Sequence, residues 1–334
     1  MFDAIVVGAG PAGSTAALTM ARRGLDVLLL DGQPFPRRKI CGGAVAARAS
    51  SLLDEEFYAA FSKNAVRGVI FAYRGGSPVR YDREEPYAHI VDRAEFDQYL
   101  AARAVRAGAR FLDAAEVTAV ETEAGFVRVV AGGDEFRARF VVAADGVRGR
   151  TARLAGMGGP SDLAITLEAD VPDDLGIAAR LDGALLIDYG AVRSGYGWVF
   201  PRGDGLSVGI GTFRAVSGSA LRSAFRRFVA ACLPEVDPGS LAARGYVVPR
   251  GGRLRGSLCR GRILVAGDAA GLADPFFGEG IHWAMLSGRL AGEAVAAALE
   301  GEPLERYAEW VDREIGRELR IARYTSLVFY SMPG

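Results

Sequence analysis

The chain has 334 residues, 50% hydrophobic and 24% charged, with 40 basic and 40 acidic residues balancing to zero formal charge. That length suits two lobes, the composition is that of a globular protein, and the even balance argues against a nucleic-acid partner. The three cysteines (Cys41, Cys232, Cys259) and two histidines lack metal-ligand spacing, so neither a disulfide framework nor a metal site is expected, and a reducing cytoplasm is the default location.

The N-terminus lacks the basic region and cleavage site of a signal peptide and reads as a strand. No apolar run reaches membrane-spanning length, which leaves peripheral contact with a membrane surface open. Ala4–Val7 is followed by Gly8-Ala9-Gly10-Pro11-Ala12-Gly13, then by a helical stretch and a second strand, Leu25–Leu30, ending in Asp31. Gly8 permits the tight turn, Gly10 lets the backbone approach a pyrophosphate, and Gly13 lets helix and strand pack closely. The helix start offers free amides and a positive dipole end to phosphates. Asp31, 21 residues past Gly10, is placed to accept hydrogen bonds from a ribose. This dinucleotide fingerprint does not by itself separate NAD from FAD.

A loop follows, Pro34-Phe35-Pro36-Arg37-Arg38-Lys39-Ile40-Cys41-Gly42-Gly43, dense in cations and turn residues. Its three cations suit either an anionic ligand or plain solvation. Asp92 and Glu95 have capping-box spacing, which predicts a helix from there. Two stretches, 62–90 and 159–247, alternate in polarity between turns and read as strands of one antiparallel sheet. Within the second, period-2 alternation sends Tyr196, Trp198 and Phe200 to one strand face, suited equally to filling a core and to covering a long apolar ligand. Phe140–Ala144 is an apolar strand ending in Asp145-Gly146, and Arg262–Ala266 another ending in Gly267-Asp268. After the latter come Gly278-Glu279-Gly280-Ile281 and a long helix with an apolar stripe.

With the fingerprint, these last segments resemble flavoproteins of the para-hydroxybenzoate hydroxylase type. The resemblance implies an α/β fold: a Rossmann-like FAD-binding domain (1–61, 91–158 and 248–300) and a second lobe on an antiparallel β-sheet (62–90 and 159–247). It implies Asp268 on the flavin's ribityl chain and the helix start at Gly278, Gly280 and Ile281 facing the flavin ring. It also implies Arg93 against the cofactor, Val117 at the adenine, and Asp145, Gly267, Cys41, Gly42 and Ala44 beside FAD. Where that group carries a serine and then an arginine after its Asp-Gly pair, this chain carries Gly149 and Ala152. No second glycine fingerprint appears, so no dedicated NADPH domain is expected.

Two further motifs narrow the resemblance. Tyr196-Gly197-Trp198-Val199-Phe200-Pro201 with the later Gly209-Ile210-Gly211 is similar to the YxWxFP…GxG signature of the geranylgeranyl reductase family, and Pro36 with Cys41-Gly42-Gly43 to its PxxxxCGG loop. FGEGIHWAMLSG is close to that family's flavin-helix segment, and the resemblance runs to roughly residue 300. It implies non-covalent FAD and reduction of isolated double bonds in prenyl chains of archaeal lipids, chlorophyll precursors or quinones. It further implies an electron donor such as NAD(P)H or a ferredoxin, and a substrate wall of Tyr196, Trp198, Phe200, Pro201, Gly209 and Gly211. The two signature motifs are expected in different lobes, and residues 301–334 as a C-terminal helical segment, short for the family. Cys41 is the candidate catalytic side chain at the flavin face. The rivals are a flavin monooxygenase or halogenase, whose active-site lysine here is limited to Lys39 or Lys63, and a non-catalytic prenyl binder.

Overall fold

Strands buried on both faces need unbroken apolar runs, and Phe2–Val7, Val27–Leu30 and Ile263–Val265 are such runs. The computed structural model describes residues 1–61, 65–203, 205–252 and 257–331. In it the chain divides into two units: Met1–Arg38, Ala94–Asp162 and Pro249–Ser326 form the first, and Lys39–Arg93, Leu163–Val248 and the residues from Leu327 the second.

In the first unit, Phe2–Val7 pairs in parallel with Val27–Leu30 on one side and with Asp134–Ala143 on the other. Ile263–Val265 and Arg110–Leu112 extend the sheet outward, also in parallel. Helix Pro11–Ala21 and helix Ile281–Leu299 cover one face and approach each other closely, because Gly288 and Gly292 sit at their contact. A Cβ on Gly288 would lie 2.1 Å from the Ala12 carbonyl oxygen. The antiparallel pair Val117–Thr122 and Val127–Ala131 packs its valines on the other face, against Ile5, Val7, Leu28 and Leu30. Helix Arg93–Arg106 starts directly after Asp92, where the capping-box spacing places it.

The second unit is built on a seven-stranded sheet in the order Arg244–Pro249, Leu163–Pro172, Gly205–Thr212, Gly195–Arg202, Ala184–Tyr189, Gly68–Tyr73, Val79–Asp82. Alternation sends Leu167, Ala169, Val171, Val199, Leu206, Val208 and Ile210 to one face, where helix Gly218–Cys232 covers them with Leu221, Phe225 and Phe228. That helix begins at Ser217, whose Oγ accepts from Ala220 N. The sheet is not purely antiparallel: Ala184–Tyr189 runs parallel to Gly68–Tyr73. The chain passes through the whole middle segment of the first unit between these two strands, so no hairpin constrains their direction.

The second unit also begins earlier in the chain than residue 62. Ala44–Ala46 pairs with Ala88–Ile90 in a small three-stranded sheet, and this ties the loop at 39–43 to the second unit. The Cys41-Gly42-Gly43 end of the loop motif therefore belongs to the same unit as the aromatic strand, contrary to the expected separation, while Pro36 stays in the first. Among the described residues no helix is long and apolar enough to cross a membrane, and no cluster of His, Cys, Asp and Glu could hold a metal.

Candidate active site

The glycine fingerprint forms the turn its spacing dictates. Gly8 has φ +99°, and a Cβ there would lie 2.4 Å from the Ala144 carbonyl oxygen, while one on Gly13 would lie 1.8 Å from the Gly8 oxygen. Gly10 is different: a Cβ there would meet only the tips of Arg37 and Asp97, so the backbone before helix Pro11–Ala21 has room in front of it. Pro11 occupies the first helical turn, and Ala12 lies behind it, 2.8 Å from where a Gly267 Cβ would fall.

Asp31 ends its strand as expected, but chain donors already occupy its carboxylate. Its Oδ2 accepts from Ala9 N at 2.9 Å and from Arg37 Nε at 3.1 Å, and its Oδ1 from Gln33 N at 3.0 Å. Arg37 also pairs with buried Asp97 at 3.0 Å, so it is neither solvated nor an uncompensated phosphate cation. The two carboxylates hold its guanidinium beside the fingerprint turn. Asp145 likewise serves the fold: its Oδ2 accepts from Arg150 N, Thr151 N and Thr151 Oγ1, capping helix Thr151–Leu154. Its Oδ1 is buried without a partner, and a Cβ on Gly149 would lie 2.2 Å from it. That crowding is a local reason for glycine at this position.

Three expected cofactor segments converge in the first unit. Gly267, at φ +62°, packs against Ala12 and Ala284, and its amide donates to Ser287 Oγ at 3.0 Å. Asp268 Oδ1 lies 3.3 Å from the position of a Cβ on Gly280, the residue that starts helix Ile281–Leu299. The fingerprint helix, the Gly-Asp pair and a second helix start thus meet around a glycine-lined cradle of backbone amides and one carboxylate. That donor set fits a pyrophosphate with its polyol chain. Gly278, at φ +72°, closes the preceding loop on Asp274. Ile281 is buried, and Glu279 Oε1 accepts from His282 N at 2.7 Å, making Glu279 a helix cap. Val117 is buried at the start of its strand. In the second unit, Arg93 is 3% exposed.

The second unit carries the aromatic face. Tyr196, Trp198 and Phe200 lie along one side of their strand, with centroids 6.0 and 6.2 Å apart. Trp198 stands opposite Gly209, and a Cβ there would lie 2.2 Å from the indole, with one on Gly211 at 3.7 Å. The GxG of the signature is therefore the bare strip across which the indole lies. Pro201 pairs with Leu206 in the same ladder. The loop at 41–43 packs on this face: a Cβ on Gly42 would fall 3.0 Å from the Phe200 ring, and one on Gly43, at φ +79°, 2.2 Å from the Val91 oxygen. Ala44 continues into the small sheet. Cys41 Sγ accepts from Gly43 N at 3.5 Å, so the thiol shapes its own loop. Burial pushes the Cys232 and Cys259 thiols up to about 11.

Sequence reading missed the polar underside of this face. Trp198 Nε1 donates to Ser207 Oγ at 3.2 Å, and Ser207 Oγ donates to Glu168 Oε1 at 3.1 Å, with all three residues buried. Arg202 lies 3.9 Å from Glu168, pairs with Asp170, and donates to the Cys41 carbonyl at 3.4 Å. The available signal was alternation: Glu168, Ser207 and Arg202 interrupt apolar strands on the same face as Trp198. The last described residues were also missed. Phe329 packs on Tyr189 at 5.2 Å and Tyr330 on Phe213 at 4.8 Å, extending the aromatic face. Of the two lysines a halogenase could use, Lys39 rests over the Tyr246 ring at 5.2 Å and Lys63 lies outside the described residues.

Comparison with known proteins agrees with this geometry. A family model described as an FAD binding domain matches residues 1–189. A digeranylgeranylglycerophospholipid reductase of Methanopyrus kandleri is 31% identical over 99% of this chain and 87% of its own length. The crystal structure of a geranylgeranyl bacteriochlorophyll reductase-like protein from Thermoplasma acidophilum superposes with TM-score 0.86 at 23% identity, covering 99% of this chain and 88% of that one. A myxobacterial FAD-dependent halogenase of chondrochloren reaches TM-score 0.77 at 28% identity, covering 100% and 83%. The chain is an FAD-dependent oxidoreductase with the para-hydroxybenzoate hydroxylase-like fold, and it belongs to the geranylgeranyl reductase family.

Proposed function

We propose that the chain saturates isolated carbon–carbon double bonds in a prenyl chain of the geranylgeranyl type. The observation that carries this reading is the aromatic face, where Trp198 lies across Gly209 and is held at Nε1 by Ser207. Rings at Tyr189, Tyr196, Trp198 and Phe200 offer a long apolar surface with little rotamer freedom to lose, which suits a hydrocarbon chain lacking polar handles. In this reading the first unit is the FAD-binding domain and the second the substrate domain. Gly8, Gly10, Pro11, Ala12 and Gly13 would hold the pyrophosphate, Asp268 the polyol chain, and the start of helix Ile281–Leu299 the ring. Roles for Asp31, Val117, Asp145, Cys41, Gly42, Ala44 and Arg93 around the cofactor belong to the same proposal.

FAD, reduced by an external donor such as NAD(P)H or a ferredoxin, supplies the hydride that such a bond needs, with a proton completing the saturation. An isolated alkene has no carbonyl to take up charge, so positive charge grows on its more substituted carbon. Ring faces attract that charge, and an apolar lining keeps away water that would trap it. Glu168, acting through Ser207, fixes which face the Trp198 indole presents.

The test is anaerobic. Reduced enzyme is mixed with prenyl diphosphates, prenylated lipids and isoprenoid quinones, while flavin absorbance and product mass are followed. Reoxidation with products heavier by two hydrogens per bond is expected. Conversion only with dioxygen and an aromatic substrate, giving an oxygenated or halogenated product, would replace this reading with that of a monooxygenase or halogenase.

A further inference from the structure

Arg37 stands beside the fingerprint turn, in the same unit as Gly10, Asp31 and Asp97. Its guanidinium is a rigid fork of N–H donors, and carboxylates hold two of its three nitrogens. Nε donates to Asp31 Oδ2 at 3.1 Å, and Nη1 lies 3.0 Å from Asp97 Oδ2. Asp97, on helix Arg93–Arg106, is 0% exposed, and the Arg37 side chain 12%. The Phe35 ring supports the fork, with Cζ 5.0 Å from its centroid. Phe35 is itself tied down: its N donates to Asp113 Oδ2 at 2.7 Å, and its ring meets Phe111 edge-on at 5.1 Å.

The third nitrogen, Nη2, borders Gly10, and a Cβ there would lie 3.4 Å from it. Gly10 has φ −79° and ψ −173°, an extended conformation that any residue adopts. The next atom its Cβ would meet is Asp97 Oδ2, at 4.0 Å. Neither backbone nor packing therefore demands glycine here, unlike at Gly8 and Gly13. What glycine provides is close approach by a ligand, and Nη2 edges the space it leaves. Asp31 and Asp97 bring two negative charges against the one positive charge of Arg37, so the group does not draw an anion by net charge. It offers a donor whose direction is set in advance.

We propose that Arg37 Nη2 donates to a pyrophosphate oxygen of FAD, and that Asp97 is the positioning residue that aims it. This rests on the reading that seats the pyrophosphate over the turn from Gly8 to Gly13. Asp97 contributes orientation at the expense of one negative charge near the diphosphate. A neutral acceptor in its place keeps the orientation and removes the repulsion.

The test is the flavin affinity of the full-length chain without substrate, with FAD and riboflavin as probes, since riboflavin lacks the pyrophosphate. Arg37→Lys keeps the charge and loses the fork. It is expected to weaken FAD about tenfold, the size of one charge-assisted hydrogen bond, and to leave riboflavin affinity unmoved. Asp97→Asn, whose carbonyl still accepts from Nη1, is expected to hold FAD at least as tightly as the native chain, while Asp97→Ala weakens it about tenfold. Native FAD affinity in R37K, an equal loss for both flavins, or D97N losing as much as D97A overturns the proposal. Gly10→Val separates this contact from the placement beneath it and is expected to weaken FAD more than R37K does. If G10V weakens FAD and R37K does not, the Arg37 contact falls alone; native FAD affinity in G10V overturns the placement and this proposal with it.

Discussion

Among the described residues, each face of the seven-stranded sheet buries one carboxylate, and the two are treated differently. On the aromatic face, Glu168 ends a chain of hydrogen bonds from Trp198 through Ser207, with Arg202 beside it. On the helix face, Asp188 has one oxygen held by Gly75 N, and the other is buried with no side chain to donate to it. A satisfied buried acid rigidifies what it touches, while a half-satisfied one is left seeking a donor. The same contrast appears in the glycines. Gly209 and Gly211 make room for a side chain of the fold itself, and the alanines of helix Gly218–Cys232 leave room that no side chain fills.

The largest effect that would break this contrast is expected at Gly209. A Cβ there overlaps the Trp198 ring, so Gly209→Ala should cost about 2 kcal/mol in denaturant unfolding. It should also lower prenyl turnover roughly a hundredfold while FAD absorbance is retained, since a misplaced wall loses positioning of the reacting bond. A Gly209→Ala enzyme with native turnover would separate the indole's position from catalysis. Next comes Glu168→Ala, which leaves Ser207 Oγ without its buried acceptor and should cost about 2 kcal/mol. A shift in Trp198 fluorescence and a KM that rises more than kcat falls would mark Glu168 as a positioning residue. Unchanged fluorescence would make it a fold element only.

Asp188 sharpens the comparison with the opposite sign. Burial holds its carboxyl above the ordinary aspartate range despite hydrogen bonding from the Gly75 and Arg74 backbone. Its folded value thus exceeds the unfolded one, so its contribution to stability is present below the unfolded value and lost as pH rises through the folded one. Asp188→Asn should therefore gain about 1 kcal/mol at mildly alkaline pH and nothing under acidic conditions, as read from urea unfolding at both. An equal gain at both would show that ionisation is not what burial opposes. The smallest effect is expected at Cys41, whose sulfur accepts a bond that a serine oxygen can also accept. Cys41→Ser should keep FAD and change turnover less than about threefold. A loss of a hundredfold or more would make the thiol a proton donor.

The sequence was most legible where function depends on neighbours in the chain. Gly8, Gly10 and Gly13 announce their turn because three successive spacings suffice to specify it, and Gly267-Asp268 announces a strand end. The strip Tyr196, Trp198, Phe200 followed from period-2 alternation alone. What escaped was set by distant pairing. Glu168 meets Ser207 only because strand Leu163–Pro172 docks in one register against Gly205–Thr212. The loop at Cys41 appeared to belong with the fingerprint beside it in sequence. The pairing of Ala44–Ala46 with Ala88–Ile90 assigns it to the other unit.

By itself the sequence determined a dinucleotide site and the α/β plan, because turn glycines, strand-end acids and alternation are local and survive without a partner strand, while FAD and the family came from the resemblance of its motifs. Only the tertiary structure decided that the CGG loop and the aromatic strand share one unit. It also decided that a buried glutamate stands under the indole, and that Asp188 lies on the helix face instead of the aromatic wall. The physical reason is register: a shift of one residue in any strand pairing would exchange the two faces and every partner these acids have.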